Sequence, residues 1–166
     1  MKRAALTLFL VAAIPSSAMA QDGVAGSARG HFLASPDEEF GAGVSADLWF
    51  PVDMFRFGGF LGVAALPSEV DARNRIFMPL GASVAFELLG DTVGVSVRAR
   101  GGIWGGATQE AKLTVGGFIA GGAYLLIALG EGVALDVGFD VWGIFGEADT
   151  AIFAPSLGLS WAPEES

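Results

Sequence analysis

The chain contains one histidine and no cysteine, so any chemistry must come from His31, hydroxyls, carboxylates and guanidinium groups. His31 would serve as a general base only with a nucleophile beside it and a carboxylate orienting its ring. Ser27, Ser35 and Asp37 are near it in sequence, yet none completes a recognisable nucleophile motif. A satisfied interior or interfacial histidine is the simpler expectation, so no catalytic residue is assigned and the chain is read as non-enzymatic. One histidine without cysteine is a poor zinc set. The run Asp37-Glu38-Glu39 has neither the alternating oxygen ligands nor the glycine of a calcium loop. No metal and no cofactor are therefore expected.

Charged residues spaced by two carry more information. From Thr92 to Trp104, Val93, Val95, Val97, Ala99 and Ile103 alternate with Ser96, Arg98, Arg100 and Gly102. On a strand this period puts both arginines on one face and the valines on the other. From Val133 to Trp142, Val133, Leu135, Val137, Phe139 and Val141 alternate in the same way with a face that holds Asp136 and Asp140. Arg56, Asp47 and Glu87 fall on equivalent faces, so seven residues (Arg56, Arg98, Arg100, Asp47, Glu87, Asp136 and Asp140) form an expected charge network. In one reading the arginines pair with these acids as a structural filling; in the other the same charges line a narrow ion path or gate.

The elements that would position them are about eight strands: 24–34, 41–50, 55–64, 75–89, 92–104, 112–128, 133–143 and 150–161. Pro51 to Met54, Gly90-Asp91 and Gly130-Glu131-Gly132 read as tight turns, whereas the connections near 35–40, 65–74, 105–111 and 144–149 are longer and more polar. A two-residue turn at Gly90-Asp91 would set Leu89 opposite Thr92, Ser83 opposite Arg98 and Gly81 opposite Arg100. A four-residue turn at Pro51–Met54 would set Trp49 opposite Arg56 and Asp47 opposite Gly58. The sixth strand is apolar on both faces from Phe118 to Leu126, which leaves its register open. Pro79 and Pro155 lie inside strands and predict a bulge or a strand end nearby.

Composition says which face points where. Hydrophobic residues make up 52% and charged residues 16%, yet the longest apolar stretch after the leader, Phe118 to Leu129, is broken by Gly121 and Gly122. Strands of about 9–11 residues cross a bilayer when closed into a barrel. The less apolar face is mostly Gly, Ser and Ala, too poor in Lys and Glu for a water-exposed surface, and small residues there leave room for charges in a narrow lumen. Phe32, Trp49, Phe50, Phe55, Trp104, Trp142, Phe145, Phe153 and Trp161 fall towards strand ends, as aromatic girdles do.

Residues 1–20 combine Lys2 and Arg3, an apolar run from Ala4 to Ile14 and the small triplet Ala18-Met19-Ala20. They read as a cleaved signal peptide, with 21–166 as one barrel domain. Loss of Lys2 and Arg3 takes the net charge from −9 to −11. So acidic a chain, with no basic patch beyond Arg73 with Arg75 and Arg98 with Arg100, is unsuited to nucleic acid.

With its short turns at one rim, longer loops at the other and outward valines, the chain resembles the small eight-stranded outer-membrane barrels, the class of the OmpA transmembrane domain and OmpX. Ser156-Leu157-Gly158-Leu159-Ser160-Trp161 looks like the last-strand signal read by the barrel assembly machinery, although Ala162 to Ser166 follow it. The resemblance implies an all-β, closed, antiparallel, up-and-down transmembrane barrel in the cell outer membrane. Outer-membrane lipid and, during biogenesis, the assembly machinery would be its partners. A structural or surface-interaction role with a lumen filled by charged side chains is expected; the alternative is a narrow channel or small-ligand barrel, lipocalin-like if soluble.

Overall fold

Valine, isoleucine and phenylalanine alternate with small or polar residues through nearly the whole described chain, and each such run becomes a strand. The structure, a computed structural model, describes residues 23–36, 39–66, 75–107, 113–130, 132–146 and 149–162. Residues 1–22, which include the expected signal peptide, lie outside the described residues, as do Asp37, Glu38, Arg73 and several of the loop acids. The strands are β1 (Ala25–Ala34), β2 (Phe40–Val52), β3 (Phe55–Leu66), β4 (Arg75–Leu89), β5 (Val93–Ala107), β6 (Leu113–Gly130), β7 (Val133–Phe145) and β8 (Thr150–Trp161). Each pairs antiparallel with the next and β8 closes on β1, giving a closed up-and-down barrel. Closure leaves no sheet edge, which a lipid environment requires.

Two hairpins differ from the expected register. Ser83 lies opposite Arg100, Ala85 opposite Arg98 and Leu89 opposite Gly94, two residues from the expected pairing. The β4–β5 turn is longer than Gly90-Asp91 and is held by the Gly90 N–H donating to the Val93 carbonyl at 3.1 Å. At β2–β3, Pro51 and Val52 join the ladder, so Trp49 lies opposite Gly58 and Asp47 opposite Phe60. That leaves a two-residue turn in which Asp53 takes a left-handed φ of 53°. A shift of two keeps every side chain on its face, and small residues still oppose Arg98 and Arg100.

The prolines introduce no bulge. The β3–β4 ladder passes from Leu61↔Leu80 to Ala64↔Phe77 in unchanged register around Pro79. The β1–β8 ladder does the same around Pro155, from His31↔Ser156 to Ala34↔Phe153. Each proline costs rungs on one side only, where its missing N–H would have donated. The register shift seen among the described residues lies between Ala128 and Gly130, beside the β6–β7 turn.

The outer surface is apolar: Val44, Leu61, Val97, Ile119, Val141 and Leu157 are all exposed there. Phe32, Phe50, Phe55, Phe145 and Phe153 lie on it too. The tryptophans do not join them. Trp49, Trp104 and Trp142 are at most 2% exposed because they share strand parity with Asp47, Arg100 and Asp140, and parity decides the face.

Candidate functional site

The lumen has two layers. Towards the loop rim, Leu33, Phe60, Phe77, Trp104, Phe118, Trp142, Ile144 and Ile152 belong to one buried apolar cluster. Below it, towards the turn rim, all seven charged residues expected on the inner face are buried, joined by Arg29, His31, Tyr124 and several serines. Four guanidiniums (Arg29, Arg56, Arg98, Arg100) stand among four carboxylates (Asp47, Glu87, Asp136, Asp140), so this layer is balanced in charge.

Asp47 is the hub of one half of this network. Its Oδ1 accepts from Arg100 Nε at 3.0 Å and its Oδ2 from Arg100 Nη2 at 3.1 Å, a two-pronged geometry suited to a carboxylate. Its Oδ2 also accepts from Arg29 Nη2 and from Ser27 Oγ. Arg100 Nη1 reaches Asp140 Oδ1 at 2.7 Å and Tyr124 Oη at 3.0 Å. In the other half Arg98 donates to Asp136 at 2.7 Å and lies 3.8 Å from Glu87, which also pairs with Arg56. The Tyr124 ring joins the halves, with the guanidinium carbons of Arg98, Arg29 and Arg100 at 4.2, 4.7 and 5.7 Å from its centroid. Cations over an aromatic face are attracted by its quadrupole, so the ring offsets part of the repulsion among three like charges.

Glycine makes this possible within eight strands, whose interior is only wide enough for side chains to fill. Large inner residues repeatedly face an inner glycine on the next strand: Trp49 faces Gly58, Trp104 faces Gly116, Tyr124 faces Gly138 and Arg29 faces Gly158. A Cβ added at Gly138 would collide with the Tyr124 ring, and one at Gly158 would meet the Arg29 stem and backbone.

The sequence reading passed over Arg29, Tyr124 and the apolar layer. Arg29 shares parity with Ser27 and His31, a usable signal, but β1 has too few large outward residues to reveal its faces. Tyr124 sits in the doubly apolar part of β6. The rings of Phe60, Phe77 and Phe118 have the parity of the lumen, which the assumption of a small polar inner face concealed.

His31 has a serine and a carboxylate near it, though not those adjacent in sequence. Its Nε2 is 2.7 Å from Ser45 Oγ and its Nδ1 is 3.9 Å from Asp140 Oδ2. The order is that of a nucleophile, base and acid, but Ser45, His31 and Asp140 are 5%, 1% and 0% exposed, between the apolar layer and the arginines. Among the described residues no group of three or more His, Cys, Asp or Glu could hold a metal ion. An opening of about 170 Å³ lies at the turn rim, lined by Trp49, Leu89, Leu126, Val133 and Trp161, with Arg56 and Glu87 also in its wall.

Fold, outward apolar surface and inward charge together define a transmembrane eight-stranded β-barrel. No protein-family model and no curated protein sequence matches the chain. Among solved structures it is similar to Neisserial surface protein A, NspA, with a TM-score of 0.60 and 14% identity over 84% of this chain and 95% of that one. It is also similar to the outer membrane enzyme PagL, with a TM-score of 0.54 and 14% identity over 83% and 99%. Ail, the attachment invasion locus protein of Yersinia pestis, follows with a TM-score of 0.51 and 11% identity over 83% and 95%. At these identities the likeness is one of fold.

Proposed function

We propose that the protein is a non-enzymatic outer-membrane barrel with a structural or surface-interaction role and a lumen closed by its own side chains. The observation that carries this is the layered interior, in which an apolar layer of rings lies across the loop half and paired charges fill the middle. Eight strands leave no aqueous channel of the kind found in barrels of 16–18 strands. Outer-membrane lipid against the aliphatic surface and the barrel assembly machinery acting on β8 are its proposed partners. NspA and Ail are described as surface and attachment proteins, in keeping with loops as the exposed working surface. The buried Ser45–His31–Asp140 arrangement offers a substrate no approach, so the enzyme status of PagL is not carried over. In planar bilayers the refolded protein is expected to give no stable conductance steps. Steps in the wild type that change with Arg98→Ala or Arg100→Ala would overturn the closed lumen and favour the gate reading. The opening at the turn rim supports a second reading, a barrel that holds a small apolar ligand there; saturable quenching of tryptophan fluorescence by such a probe would establish it.

A further inference from the structure

Several polar atoms where β1, β7 and β8 meet have no protein partner: Arg29 Nε and Nη1, His31 Nδ1, Trp142 Nε1, Ser156 Oγ and Asp140 Oδ2. Their residues are 3%, 1%, 1%, 8% and 0% exposed, in the order Arg29, His31, Trp142, Ser156, Asp140. His31, Ser156, Asp140 and Trp142 are also close together. His31 and Ser156 are direct cross-strand partners on the inner face, which sets their Cβ atoms about 5 Å apart. His31 Nδ1 is 3.9 Å from Asp140 Oδ2 and the His31 and Trp142 ring centroids are 5.3 Å apart. Arg29 precedes His31 by two residues on the same face of β1.

Ser45 occupies His31 Nε2. With the Ser45 hydroxyl donating there, the ring proton sits on Nδ1 and faces this group. The cluster then offers four N–H donors, one hydroxyl and one carboxylate oxygen. Unpaired donors at such depth are costly to leave unmade, and the acceptors among these atoms are Asp140 Oδ2 and the Ser156 hydroxyl, too few for the donors. Water suits the set because it accepts from two donors and still donates to the carboxylate, and buried waters commonly make about three such bonds. A small anion would accept from the same donors, but Asp140 lies beside His31 Nδ1 and repels it.

We infer that Arg29, His31, Trp142, Ser156 and Asp140 form a buried water-binding site at the junction of the apolar and charged layers. The bound water carries hydrogen bonding from His31 and Trp142 to the free oxygen of Asp140 and holds His31 in its Nδ1–H form. The site goes beyond the closed-barrel reading and survives if the protein's cellular role is another.

The test is magnetisation transfer from water to the indole N–H protons, by NMR on the full chain refolded in lipid nanodiscs. Trp104 is the internal control, because its Nε1 donates to the Phe145 carbonyl at 3.0 Å. Trp142→Phe assigns the resonance; if that variant does not fold, Trp49→Phe, Trp104→Phe and Trp161→Phe assign it by elimination. The expected result is a direct water contact at Trp142, none at Trp104 and no dependence on chloride. Absence of the contact at Trp142, or an equal contact at Trp104, overturns the proposal. A saturable shift with chloride but not acetate also overturns it, in favour of an anion.

Discussion

Replacing Asp47 by asparagine removes the charge from a carboxylate that hydrogen-bonds two arginines, Arg29 and Arg100. Arg100 loses the charged partner of its Nε and Nη2, at 3.0 and 3.1 Å, but keeps Asp140 at 2.7 Å. Arg29 loses the one carboxylate it pairs with among the described residues, and both side chains of that pair are fully buried. Removing one member of a buried pair leaves the other uncompensated, at a cost of about 3–5 kcal/mol. Set against a typical total of about 5–15 kcal/mol, that is a large share of the stability of the barrel. Glu87→Gln is the comparison, because the Arg56 and Glu87 side chains are 10% and 7% exposed at the turn-rim opening. Water there compensates part of the loss, so about 1–2 kcal/mol is expected. Urea titration in lipid vesicles, read by tryptophan fluorescence and by gel mobility of unboiled samples, measures both variants. The expected order is wild type, Glu87→Gln, then Asp47→Asn, with an Asp47→Asn/Arg29→Met double variant recovering part of the deficit. Equal midpoints for the two single variants, or no recovery in the double variant, would refute the account of Asp47 as the hub.

Gly138→Val should abolish the unboiled-gel shift or shift the urea midpoint strongly, because it drives Tyr124 out from between the arginines. Gly59→Ala should leave both unchanged, since a Cβ there meets nothing nearer than the Gly81 carbonyl at 3.8 Å. Leu61→Arg, midway along the outer face of β3, should cost about 2–4 kcal/mol in vesicles, and an unchanged midpoint would argue that this face does not meet hydrocarbon. Asp53→Val should cost about 1–2 kcal/mol, because a β-branched residue resists the left-handed φ of the β2–β3 turn; unaltered unfolding would mean the turn adopts another geometry.

Period two made the faces legible from the sequence, and with them the inner position of all seven charged residues. Register was less legible because a shift of two residues preserves every face, so parity cannot distinguish Ser83↔Arg98 from the observed Ser83↔Arg100. Turn length decides between them, and it depends on whether Pro51, Val52 and Thr92 join the ladder or the turn. The division of the lumen was hidden for a different reason. Phe60 and Arg56 have the same parity on one strand, and only the stagger of neighbouring strands puts one in the apolar layer and the other beside Glu87. The hub was hidden because Arg29 and Asp47 come from separate strands, each with one charge on its inner face.

The pairing of large inner residues with glycines across a rung constrains how such a barrel can change over generations. A bulky substitution on the inner wall has no space of its own, so it survives only with a compensating reduction on the adjoining strand. Lumen positions such as Tyr124 and Gly138, or Trp104 and Gly116, are therefore expected to drift as coupled exchanges, large for small and small for large. Outward positions such as Leu61 and Val97 can vary singly so long as they stay apolar. Related barrels would then share little residue-by-residue identity while conserving the summed volume of each rung.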